Sequence, residues 1–142
     1  MKTDLSNYPK SYLLCFLDKC EKKEQCAHFI AQQHSRDEQL MGKAVCHAAL
    51  SQQGGCPFYH PLTEIRAAWG FKRLFKNVLA RHDTSIRAAV KDYLGSTGTY
   101  YRYMHGVMLL TPEQQKRILE IFHDYGYSGE LKFDGYKDVL NW

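Results

Sequence analysis

The sequence predicts a mainly α protein, with a Cys-rich metal-knuckle N-terminal lobe (residues 1–60) packed on a helix-turn-helix-like helical C-terminal lobe (residues 61–142). Three observations carry this. Cys15, Cys20, Cys26 and Cys56 are placed to converge on one point. Apolar residues recur at helical spacing along much of the chain, with glycines where helices would end. Thr111-Pro112-Glu113-Gln114 offers a threonine cap, a proline at the first helical position and a glutamine placed to bond back.

Taken in order, Ser11–Phe16 is a short apolar stretch suited to an extended entry segment. Residues 22–34 suit a helix with Cys26, Phe29, Ile30 and Gln33 on one face, so Cys26 lies inward near its first turn. A second helix is expected over 37–50, stopped by Gln53-Gly54-Gly55. Thr63 can cap a third, whose stripe is Ile65, Ala68, Trp69, Leu74, Phe75, Val78 and Leu79, with Gly70 as a kink. Asp83 or Thr84 caps a fourth, with Ile86, Ala89, Val90, Tyr93 and Leu94 inward and Gly95 at its C-terminal end. A short helix over 98–105 ends at Gly106. The capped helix beginning at Thr111 buries Ile118, Leu119, Ile121 and Phe122 and ends at Gly126. The tail from Leu131 to Trp142 carries aromatic anchors suited to docking.

A chain of 142 residues suits one compact domain or a small lobe stapled to a larger one. No apolar run approaches the roughly 20 residues that cross a bilayer, so no membrane partner is expected. The opening residues from Met1 to Pro9 lack the apolar core of a signal peptide, and a cytoplasmic address is the expectation. Thiols stay reduced there. Five cysteines would also leave one unpaired in a disulfide framework.

Thiolates gathered in this way hold zinc or an iron–sulfur cluster. The gaps of four residues (Cys15 to Cys20) and five (Cys20 to Cys26) leave both metals open. Zinc is the expected cofactor and an iron–sulfur cluster the alternative. The competing reading is four buried free thiols. Cys46 sits in a small-apolar patch and is read as a core thiol, while His28, His47 and His60 are close enough in sequence to replace a cysteine. No G-x-S-x-G, P-loop or G-x-G-x-x-G is present, and nothing activates one particular thiol, so no catalytic residue is assigned.

The net charge of +4 is unevenly spread. Between Pro61 and His105, Arg66, Lys72, Arg73, Lys76, Arg81, Arg87, Lys91 and Arg102 face only Glu64, Asp83 and Asp92; the balance reverses after Gly106. A basic middle with tyrosines at its end suits a polyanion, although a solvated basic face has the same composition. Residues 86–105 run as helix, glycine turn and short helix, the order of a helix-turn-helix. In that arrangement Thr99, Tyr100, Arg102 and Tyr103 meet duplex DNA, and Lys91, Lys72 and Arg73 grip its backbone. Val90, Leu94, Tyr101 and Met104 hold the two helices together. Lys91, Ser96 and Gly98 depart from the usual pattern, and an ordinary helical hairpin is the alternative.

Cys15-Phe16, Cys20, Cys26, Cys56-Pro57-Phe58-Tyr59, Ala68-Trp69-Gly70, Gly95, Tyr100-Tyr101-Arg102-Tyr103, Leu110 to Gln115, Ile118, Phe122, Gly126 and Phe133-Asp134-Gly135-Tyr136 span nearly the whole chain. Together they resemble an uncharacterised family of small proteins from Bacteroides-type bacteria, a domain of unknown function. The resemblance implies that the four named cysteines belong together, with Cys46 outside the set, and it implies no activity. The reading is a metal-containing nucleic-acid-binding protein of the transcription-regulator type. An iron–sulfur redox or sensor protein, and a helical adaptor for a protein partner, are the alternatives.

Overall fold

In the computed structural model, which describes residues 4–142, a long-range pairing joins Glu64–Trp69 (β1) to Gly135–Leu140 (β2). Just beyond one end the Asn141 N–H donates to the Thr63 carbonyl at 2.8 Å, and beyond the other the Asp134 N–H donates to Gly70 at 3.3 Å. Rising numbers on one strand thus meet falling numbers on the other, an antiparallel register. Ala68 exchanges both of its backbone bonds with Leu110, at 3.0 and 2.7 Å. Met1, Lys2 and Thr3, the start of the segment read for a signal peptide, lie outside the described residues.

Among the described residues, five α-helices accompany the sheet: Ala27–Gln33 (α1), Lys72–Phe75 (α2), Ala80–Leu94 (α3), Thr97–Met104 (α4) and Pro112–Asp124 (α5). Single 3-10 turns occupy Lys23–Gln25 and His47–Ser51. The architecture is α+β, which corrects the expectation of a mainly α protein with a helix-turn-helix-like helical C-terminal lobe. The error lies at β1. The spacing of Ile65, Ala68 and Trp69 fits a helix, but Ala67 and Ala68 are buried together and the partner strand lies far along the chain. Neither fact is visible in a local window.

The helix expected over 37–50 is corrected as well. Only its last turn is helical. The chain before it is drawn out to pair with the entry segment, where Leu14 donates to Lys43 and Val45 donates to Leu14, each at 2.9 Å. The helix expected over 22–34 is interrupted at Cys26, whose extended backbone precedes α1.

The chain divides into two units, Met1–Glu64 with Leu140–Trp142, and Ile65–Val139. The second is built on Phe71, Leu74, Ile86, Val90, Tyr100, Leu110, Ile118, Phe122 and Phe133, all buried. Its best-defined local element is α5. Thr111 accepts the Gln114 N–H at 3.2 Å and Gln114 Oε1 accepts the Thr111 N–H at 3.0 Å, the reciprocal cap expected of this sequence. Gly95 closes α3 at φ +104°, a conformation few side chains adopt, and Ser96 then caps α4.

Two glycine contacts hold the sheet to its surroundings in this unit. Gly70, at φ +83°, lies against Asp134, whose carboxyl carbon would be 2.7 Å from any added Cβ. Gly135 lies flat against the Trp69 indole, where an added Cβ would meet Cε2 at 2.6 Å. The Ala-Trp-Gly and Phe-Asp-Gly-Tyr segments of the resemblance therefore interlock as structure.

The first unit has two small cores. One gathers Cys15, Cys26, Phe29, Val45 and Ala49; the other gathers Tyr8, Leu14 and Ala31 with Tyr12 and Trp142. The Trp142 ring meets Tyr8 and Tyr12 edge-on, with centroids 5.7 and 5.8 Å apart.

Candidate functional site

Three stretches of the first unit bring the cysteines together. The entry segment carries Cys15 and the turns just after it carry Cys20, the residue before α1 is Cys26, and the Gly54-Gly55 turn delivers Cys56. All four line one small cavity, with Leu17, Lys23, His28, Phe29, Val45 and Tyr59 completing much of its wall. Cys46 is exposed and takes no part in it, so it is not the core thiol its apolar neighbours suggest. All five cysteines are free thiols.

The cavity measures about 20 Å³, space for one water-sized particle. Burial pushes the Cys15 thiol above its ordinary range; the Leu17 backbone N–H bonded to it opposes that shift, and Cys26, Cys20 and Cys56 add to it through their charge. These four thiols therefore share one electrostatic environment. Lys23 is the cation on the wall; its ammonium lies 5.5 Å from the centre of the Phe29 ring and 3.6 Å from Asp18.

The thiols surround the cavity rather than meet at its centre. Among the described residues, no three His, Cys, Asp or Glu side chains are gathered closely enough to hold a metal ion as they stand. This overturns the metal-knuckle N-terminal lobe as an element of the fold: its backbone is set by the 14–45 pairing and by α1, with the thiols around a gap between them. The donor set nonetheless suits a soft metal, four sulfurs with no competing carboxylate on the wall. The cavity as it stands has room for a single ion.

The three histidines fare differently. His28 lines the cavity, with Nδ1 at 2.7 Å from the Leu13 carbonyl and its ring stacked on Tyr12 at 4.8 Å. Burial, helped by the charge of Cys26, lifts the Tyr12 hydroxyl to about 12. His60 instead places Nε2 at 2.6 Å from the Asn141 carbonyl, and His47 is exposed.

The residues expected to meet DNA separate into two groups. Tyr100 and Tyr103 are buried, which corrects their assignment as DNA contacts. Tyr100 stacks on Phe71 at 4.9 Å and its hydroxyl accepts from Arg87 at 3.0 Å; the Tyr103 hydroxyl accepts from Gln114 at 3.4 Å. The inward tyrosines are therefore one residue out of phase with the expected packing, which placed Tyr101 inside. Thr99 is half-buried, its backbone N–H held by Ser96 Oγ at 3.1 Å. Lys72 and Arg73 are exposed, with their backbone N–H groups taken by Asp134. Arg102 is exposed, and Lys91 is half-buried with its ammonium 5.4 and 5.6 Å from the Tyr100 and Tyr101 rings.

The interlock of Trp69 with Gly135, and of Gly70 with Asp134, was not assigned any role by sequence reasoning. The glycine-aromatic and glycine-acid pairs were visible as words, but their pairing across the sheet was not. Among the described residues, no helix is long and apolar enough to cross a membrane. A protein-family model described as a family of unknown function (DUF6078) matches residues 1–142. No curated protein and no solved structure matches the chain.

Proposed function

The chain belongs to the DUF6078 family of unknown function, and we propose that it is a zinc-binding protein whose Cys15, Cys20, Cys26 and Cys56 brace the N-terminal unit. The observation that carries this is the selection of these four thiols, and not the fifth, around a cavity the size of one ion. Bound there, zinc would supply four bonds to sulfur that tie the entry segment, the start of α1 and the Gly54-Gly55 turn into one body. The thiols would move inward from the wall and release their protons, and Lys23 would offset part of the negative charge of a four-thiolate site. The small apolar core of this unit gives that brace a reason. Free thiols of this kind call for a reducing compartment, which favours the cytoplasm.

The test is metal analysis of protein purified without oxygen. About one zinc per chain and a colourless protein are expected, with the metal lost in Cys56→Ser and kept in Cys46→Ser. Metal-free protein, equal loss in both variants, or brown protein absorbing near roughly 400 nm would overturn the reading.

A further inference from the structure

The outward face of α4 is made of Gly98, Tyr101, Arg102 and His105, all exposed and at the spacing that puts them on one side of a helix. Nothing acidic lies on α4. Tyr101 and His105 lie nearly parallel, 19° apart with centroids at 6.2 Å, and Tyr101 remains 44% exposed. Lys91 reaches over from α3, and neither it nor Arg102 forms an ion pair among the described residues. The place of a Gly98 side chain is open, since an added Cβ would have only Ser96 Oγ within 4.0 Å.

From this we infer that the face of α4 binds single-stranded nucleic acid, with an unpaired base stacked on Tyr101 and flanking phosphates held by Arg102 and Lys91. The choice of occupant follows from the chemistry. Flat aromatic rings beside unpaired cations match a polymer that alternates bases with phosphates, and a base can reach Tyr101 only when it is not already stacked in a duplex. An apolar protein helix would have to bury Arg102 and His105 without partners. A duplex groove would be met by one exposed tyrosine of α4, because Tyr100 and Tyr103 are committed to the core. The acids on α3 are Asp83, which is paired with Arg87, and Asp92, next to Lys91; Asp92 sets a limit on phosphate affinity.

This inference does not depend on zinc, because every residue it uses belongs to the second unit. The full-length, as-purified protein is titrated into a fluorescein-labelled oligothymidylate of about 15 nucleotides, and separately into a duplex of the same length, at low and moderate salt. Tighter binding to the single strand is expected. Tyr101→Ala should weaken it about tenfold or more and Tyr101→Phe should leave it within about twofold, as stacking on the ring demands. Arg102→Ala should lower the slope of log affinity against log salt by about one. Tyr93→Ala, an exposed tyrosine beside α5, serves as the control and should bind like the parent. Absence of binding at low salt, equal affinity for duplex, or Tyr101→Ala binding as tightly as the parent would each overturn the inference.

Discussion

Asp134 caps a helix it does not belong to: its carboxylate accepts the backbone N–H of Lys72 at 3.1 Å and of Arg73 at 2.8 Å, at the start of α2. No residue preceding α2 supplies a side-chain cap. The residue that satisfies these orphan donors comes instead from the foot of β2, and it fits because Gly70 leaves room for it. Asp134→Ala should therefore cost about 1–2 kcal/mol, the usual loss of a cap. Gly70→Ala should cost more than about 1 kcal/mol, since it adds a Cβ both at positive φ and onto Asp134. Urea unfolding of both variants tests this, and parental stability in Asp134→Ala would show that water replaces the carboxylate.

A second prediction concerns Arg87. Its guanidinium donates to Asp83 at 2.6 Å and to the Tyr100 hydroxyl at 3.0 Å, and lies 4.1 Å from the centre of the Phe75 ring. Burial raises the Tyr100 pKa, with Arg87 acting against that shift by charge and hydrogen bond. Arg87→Ala would leave a buried hydroxyl without its donor and should cost about 2 kcal/mol. Adding Tyr100→Phe should then cost less than it does alone. Additive losses in the double-mutant cycle would show that the bond contributes no coupling.

The third prediction is a pH dependence of the metal-free protein. A thiol whose pKa is raised by folding favours the folded state while it stays protonated. That contribution is complete below the ordinary thiol range and disappears as pH rises through the higher, folded-state value of Cys15. Melting temperature should fall as pH rises above the ordinary thiol range, and the fall should be shallower in Cys15→Ala. An equally steep fall in that variant would assign the effect to another group. Zinc affinity should move the opposite way and rise with pH, because binding releases the thiol protons.

What could be read from the sequence follows the range of the interactions. The cap at Thr111 and the stop at Gly95 depend on residues within a few positions of each other, so α5 and the α3–α4 turn were legible almost to the residue. β1 was not, because its bonds run to β2 and to Leu110, and an Ala-Ala-Trp run is as natural in a helix as in a strand. The segment before His47 failed similarly, its backbone bonds going to Leu14. Among the site residues, the gathering of four cysteines around one cavity was legible from their clustering and the Gly54-Gly55 turn. The burial of Tyr100 and Tyr103 was not, because three tyrosines within four positions, Tyr-Tyr-Arg-Tyr, give helical phase little contrast.

The return of Leu140–Trp142 to the first unit makes residues 65–139 an insertion between its two parts. On the ribosome this sets an order. The second unit has all of its residues once Val139 has emerged, while the first must wait for Trp142, which closes on Tyr8 and Tyr12. The core of Tyr8, Leu14 and Ala31 is therefore begun before the insert and completed after it, whereas every residue that lines the cysteine cavity has been made before residue 65.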